Sequence, residues 1–141
     1  MYDNQVDNKE IYGGLYNWYA VNTNKICPSG WHEPSDGEWI VLVNYLGGES
    51  IAGGKLKETG TSHWKSPNTS AFNTTGFPAL PGGLRSPYGI FNYINSSGFW
   101  WTETETFTTG SYNREISHLK NMILKKGNAK ENGFSVRCIQ D

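Results

Sequence analysis

Trp39, Leu42, Val43 and Leu46 recur at spacings of three and four, which lines them along one face of an α-helix. A start signal precedes them. Ser35 and Glu38 fit a capping box, in which the serine hydroxyl accepts from the Glu38 amide and the glutamate reaches back to the Ser35 amide. Asp36 adds negative charge at the end where the helix dipole favours it. Gly47-Gly48 supplies a stop, so the pattern predicts one amphipathic helix over 36–46. A second, short helix is expected over 49–57. Gly53 and Gly54 weaken it by about 1 kcal/mol each relative to alanine.

Elsewhere the pattern changes from helical spacing to short apolar and aromatic runs bounded by Gly or Asn. Residues 15–21 read as an aromatic first strand. Residues 99–104, 112–119, 122–125 and 134–139 read as an antiparallel sheet in the C-terminal third. Between them, residues 58–97 hold four prolines and many Gly, Asn, Ser and Thr, with Trp64, Phe72, Phe77, Tyr88, Phe91 and Tyr93 interspersed. This is expected to be a long ordered loop region, packed by its own aromatics. Helices followed by strands make the fold class α+β. No repeat or internal boundary divides the 141 residues, which read as one domain with a flexible start over 1–12.

Charge removes several function classes. Twelve basic and thirteen acidic residues leave a net charge of −1, with no basic patch of the kind nucleic acid or anionic lipid requires. No apolar run approaches the roughly 20 residues that span a bilayer, so no direct membrane insertion is expected. The first residues lack a signal-peptide pattern, so an exported reading places the targeting segment outside this sequence. Cys27 and Cys138 are the only cysteines. Phe134, Val136 and Cys138 alternate with Ser135, Arg137 and Ile139, which puts Cys138 on an apolar strand face. A Cys27–Cys138 bridge is favoured over two buried thiols, and it implies an oxidising compartment.

Candidate chemistry is sparse. His32, His63 and His118 show no metal-ligand spacing, and neither a Gly-x-Ser-x-Gly elbow nor a phosphate-cradling loop is present. Glu103 and Glu105 share a strand face. Paired carboxylates hydrolyse glycosides, but an exposed solvated pair is the plainer reading. Trp31, Trp39, Trp100 and Phe134 are expected in the core, while Trp18 and Trp101 are ambiguous. Trp64, in the polar stretch Thr61-Ser62-His63-Trp64-Lys65, is the candidate for stacking on a sugar ring or a protein partner. Tyr112, Arg114 and His118 share a strand face with Ile116, and Tyr and Arg are favoured binding anchors. The expected ligand-binding residues are therefore Trp64, Tyr112, Arg114 and His118, with no catalytic or metal residue.

Several blocks resemble one family in its own order. They are Gly14-Leu15-Tyr16-Asn17-Trp18-Tyr19-Ala20, Cys27-Pro28-Ser29-Gly30-Trp31-His32-Glu33-Pro34-Ser35-Asp36-Gly37-Glu38-Trp39, Ala52-Gly53-Gly54-Lys55-Leu56-Lys57, Gly76-Phe77-Pro78-Ala79-Leu80-Pro81-Gly82-Gly83-Leu84-Arg85, Gly98-Phe99-Trp100-Trp101-Thr102-Glu103-Thr104-Glu105 and Asn132-Gly133-Phe134-Ser135-Val136-Arg137-Cys138. Together they resemble the Fibrobacter succinogenes major paralogous domain over roughly residues 13–141. The resemblance implies a C-type-lectin-like fold, related to sulfatase-modifying-factor domains, and an exported or lipoprotein setting at a bacterial surface. The triplets of calcium-dependent sugar-binding lectins are absent, so no cofactor is expected, with a weak calcium site left open. The two cysteines occupy positions expected of a structural bridge rather than of a formylglycine-generating active site. The functional expectation is an extracellular binding or adhesion module for a glycan or protein. A structural domain of an envelope complex is the alternative, and a hydrolase using Glu103 ranks third.

Overall fold

The computed structural model describes residues 2–141 and is α+β, with four helices and a five-stranded mixed sheet among the described residues. After a 3-10 turn at Tyr2–Asn4, the helices are α1 (Val6–Tyr12), α2 (Trp18–Val21), α3 (Asp36–Tyr45) and α4 (Glu49–Leu56). The strands are β1 (Trp31–His32), β2 (Gly82–Arg85), β3 (Phe91–Ile94), β4 (Ser97–Phe107), β5 (Gly110–Ser117), β6 (Ile123–Ala129) and β7 (Ile139–Gln140). The main sheet runs β3-β2-β4-β5-β6, while β1 and β7 pair separately.

Helix α3 forms as its pattern predicts. Ser35 Oγ accepts from the Glu38 amide at 3.2 Å, and Glu38 Oε2 accepts from the Ser35 amide at 2.8 Å. Trp39, Val43 and Leu46 are buried with Leu42 packed beside them, each large side chain contributing about 1.5–3 kcal/mol. Helix α4 also forms, and its glycines are the reason it fits where it does. A Cβ on Gly53 would strike the Met122 carbonyl, and one on Gly54 would strike the Ser70 carbonyl and the Asn121 side chain. The helix thus presses backbone to backbone on the later loops. The Gly54 amide donates to Asn121 O at 2.9 Å, and Gly54 O accepts from the Phe72 amide at 2.9 Å.

Consecutive residues of β4 face opposite ways, so Trp100 and Trp101 enter separate cores. Trp100 joins Trp39, Val43, Leu56, Trp64, Ile116 and Ile123. Trp101 joins Trp18, Val21, Phe99 and Phe134, and its centroid lies 4.3 Å from that of Phe134. Trp18 and Trp101, ambiguous in sequence, are both core residues.

Four expectations need correction. Residues 15–21 are not a strand. Asn17 Oδ1 accepts from the Ala20 amide at 3.0 Å and caps a helical turn, leaving Tyr16 alone in a bridge to Phe134. The span 58–97 contains two strands, β2 and β3, and Gly83 pairs in parallel with Gly98, so the sheet is mixed rather than antiparallel. Residues 134–139 do not form a continuous strand. Phe134 and Ser135 make single bridges to Tyr16 and Trp100, and pairing resumes only at Ile139. Within 1–12, expected to be flexible, residues 6–12 form α1, while Met1 lies outside the described residues. No described helix is long and apolar enough to cross a membrane.

The long loop region is held from within by Lys57. Its fully buried Nζ donates to the carbonyls of Thr69 (2.7 Å), Lys120 (3.0 Å) and Ser117 (3.2 Å). Cys27 and Cys138 are bridged across a separation of 111 residues. Closing a loop of that size stabilises the fold by about 4–5 kcal/mol in the chain-entropy account. The bridge suits an oxidising compartment.

Candidate functional site

The bridge, together with the pairing of Trp31 with Gln140 and His32 with Ile139, brings the last residues against the start of α3. His32 locks this arrangement. Its Nδ1 lies 2.7 Å from Asp141 Oδ1 and its Nε2 lies 2.8 Å from Glu38 Oε1. Hydrogen bonds to Glu38 and then Asp141 hold the imidazole pKa above its ordinary value. Burial opposes ionisation of Glu38, but bonds from the Ser35 amide, His32 and the Ser35 hydroxyl outweigh it and hold the carboxyl below the usual range.

Beside this lock lies a groove of about 300 Å³, walled by Trp31, Trp39, Leu42, Phe77, Arg137 and Ile139. Trp31 is 44% exposed, although it was expected in the core. Its strand contains only two residues, and the pairing with Gln140 holds the backbone without covering the indole. Trp39 is 3% exposed, and its buried indole N–H has no acceptor in the protein. Phe77 meets Trp39 edge-on, with centroids 6.0 Å apart, and the Arg137 guanidinium carbon lies 4.5 Å from the Phe77 centroid. A neighbouring cavity of about 270 Å³ shares Phe77 and Arg137 and is walled further by Tyr12, Pro78 and Val136. The groove thus offers aromatic faces and a guanidinium, which are the means of holding a ligand with an apolar face and polar rim.

Trp31, Trp39, Phe77 and Arg137 all lie within residues 1–140, the span matched by the family model of the Fibrobacter succinogenes major domain. The chain belongs to that family. No curated protein and no solved structure matches it significantly.

In this Fibrobacter succinogenes major domain the four residues expected to bind ligand do not form one surface. Trp64 is 1% exposed rather than displayed on a loop. Its Nε1 donates to Ala79 O at 3.0 Å and Lys57 Nζ sits 5.7 Å from its ring, so the polar neighbours stay outside while the indole turns into the core. Arg114 is also 1% exposed. It shares a face with Tyr112 and Ile116, but that face lies under α3, where Asp36 Oδ1 meets Arg114 Nη2 at 2.6 Å and Asp36 Oδ2 meets Lys125 Nζ at 2.6 Å. Desolvation lowers the Arg114 pKa against the pull of Asp36. Half-buried Tyr112 lies beneath Lys125, whose Nζ is 4.0 Å from the ring centroid. His118 lies past the end of β5, with Nδ1 3.1 Å from Ser66 O. Burial therefore removes Trp64 and Arg114 from any exposed binding surface.

Glu103 and Glu105 are both exposed, and Glu105 pairs with Lys130 at 3.1 Å. Among the described residues no group of three or more His, Cys, Asp or Glu is gathered to hold a metal ion. Arg137, Cys138, Ile139 and Gln140 line the groove in succession, which a two-residue strand alternation does not foretell.

Proposed function

We propose that this domain is a non-catalytic binding module displayed on a bacterial surface, and that it takes a glycan or protein ligand in the groove beside the Cys27–Cys138 bridge. One juxtaposition carries the reading. An open indole, Trp31, stands at a groove whose inner wall includes Trp39, a buried indole with no acceptor for its N–H. Folded proteins rarely leave a buried donor unpaired, and sites that do invite a functional explanation. A sugar suits the open indole of Trp31, since its C–H face stacks on an aromatic ring while its hydroxyls stay at the polar rim.

We also read the fold as C-type-lectin-like. In support, α3 and α4 are followed by a long ordered loop region and then the late strands, and the ends of the domain are tied by the bridge and the β1–β7 pairing. The disulfide supports an exported location. A broad glycan array, run with calcium and with chelator, tests the function. Hits are expected to vanish in Trp31→Ala while the circular dichroism spectrum is unchanged. Hits that survive this substitution place binding elsewhere.

A second reading, a structural domain of an envelope assembly, is favoured by the outer face of α3. Val41 and Tyr45, one turn apart, are 70% and 86% exposed. Sedimentation of the wild type and of Val41→Ser/Tyr45→Ser separates this reading from the first. Self-association that the double substitution abolishes supports the assembly role.

A further inference from the structure

We propose that the groove and its neighbouring cavity are two subsites of one cleft for a linear acidic polysaccharide, with Arg137 taking a sugar carboxylate where they meet. The proposal rests on the groove being the ligand site and names the ligand's class. Neither cavity exceeds about 300 Å³. Each is therefore at or below the small end of the roughly 300–1,000 Å³ usual for a complete ligand site. They share two residues, Phe77 and Arg137, which form the partition between them. A ligand longer than one ring can occupy both only by crossing that partition.

The chemistry of the partition points to charge. Arg137 is exposed, and among the described residues no carboxylate lies within ion-pair distance of it. Stacking on Phe77 holds the guanidinium and leaves its edge free, the geometry for bidentate carboxylate recognition. The acidic groups nearby do not compete for it. Glu38, which lines the groove, is bonded through Oε1 to His32 and through Oε2 to Ser35, and Asp141 is bonded to His32. A uronic acid unit matches the whole arrangement. Its carboxylate pairs with Arg137 and its C–H face lies on the open indole of Trp31.

The test is calorimetric titration of the intact domain with hexameric galacturonate, alginate and glucuronate-containing chains, each beside its methyl ester and its monomer. At least one acid hexamer is expected to bind about tenfold more tightly than both its ester and its monomer. Arg137→Gln removes the acid-over-ester preference while leaving ester binding in place, and Arg137→Lys restores only part of it. Acid and ester binding equally, or a preference that survives Arg137→Gln, overturns the proposal. If neutral glycans bind in a Trp31-dependent manner and no acid is preferred, the acidic specificity fails while the groove reading stands. If no glycan of either kind binds, the acidic-polysaccharide proposal fails and the groove reading is left with a protein ligand alone.

Discussion

Arg114 and Asp36 meet under the first turn of α3, with Nη2 and Oδ1 2.6 Å apart and both residues buried. Asp36 is thereby helix-start residue, counter-charge and anchor for Lys125 together. Truncating one side leaves a buried charge without its partner. Arg114→Ala or Asp36→Ala is expected to lower the unfolding free energy by about 3–5 kcal/mol, measured by urea denaturation. Replacing the pair with Asp36→Ala/Arg114→Ala is expected to cost less than the two single changes added together. Strict additivity would mean that the pair does not act as a unit.

Lys57 gives a prediction of opposite sign to the usual alkaline loss of stability. Burial lowers its folded pKa from 10.5 to about 8, against the three carbonyls that accept from it and favour the charged form. Between those values the unfolded chain keeps a proton that the folded protein has released, so this group's contribution favours folding increasingly as pH rises. The gain approaches about 3 kcal/mol across the window. Tyr12, raised by burial and by Glu58, works against it only above its ordinary value of 10.0. Unfolding free energies from pH 7.5 to 10 should therefore rise in the wild type and rise less in Lys57→Met. Parallel curves would contradict the assignment.

His32 predicts the reverse dependence near neutrality. Its folded pKa is raised by Glu38 and Asp141, so its contribution is fully present below the unfolded value of 6.5 and is lost as pH rises through the folded value. The ring should titrate above 6.5 by NMR. Exchange of the Asp141 amide, which donates to Gly30 O at 3.1 Å, should accelerate beyond its intrinsic pH dependence over the same range. In His32→Gln this added acceleration is expected to disappear.

The bridge should affect both stability and the groove, since Cys138 is part of the groove wall. Cys27→Ser/Cys138→Ser is expected to lose about 4–5 kcal/mol, read from denaturant midpoints. Any glycan affinity should fall in the same protein under conditions where it remains folded. Unchanged affinity would show that the wall is held without the bridge.

Local chemistry was the most legible part of the chain. Ser35, Glu38 and the apolar stripe specify α3 without tertiary help, and with only two cysteines and no metal-ligand spacing the chain offers one intramolecular bridge, Cys27 with Cys138. What escaped depended on distant partners. Asn17 caps α2 in a run whose aromatics read as a strand, and β2 is built from Gly82-Gly83-Leu84-Arg85, which offers almost no strand propensity and pairs because its neighbours require it. Trp64 was misplaced because its polar sequence neighbours say nothing about the Ala79 carbonyl that draws its N–H inward. Arg114 was misplaced because Asp36, 78 positions away, decides that its strand face is covered. The groove combines residues from β1, α3, the loop before β2 and the C-terminal segment, so its aromatics were visible one by one but their convergence was not.

The most direct test of the groove as the ligand site uses the indole N–H resonances of the six tryptophans during titration with the tightest-binding array glycan. Trp18, Trp64 and Trp101 donate internally to Thr102 O, Ala79 O and Tyr16 O, whereas Trp39 lacks an acceptor and Trp31 stands open. The account predicts saturable shifts at Trp31 and Trp39, with the three internally bonded indoles nearly still. Shifts confined to residues around Tyr112 and His118, with Trp31 and Trp39 unmoved at saturation, would contradict it.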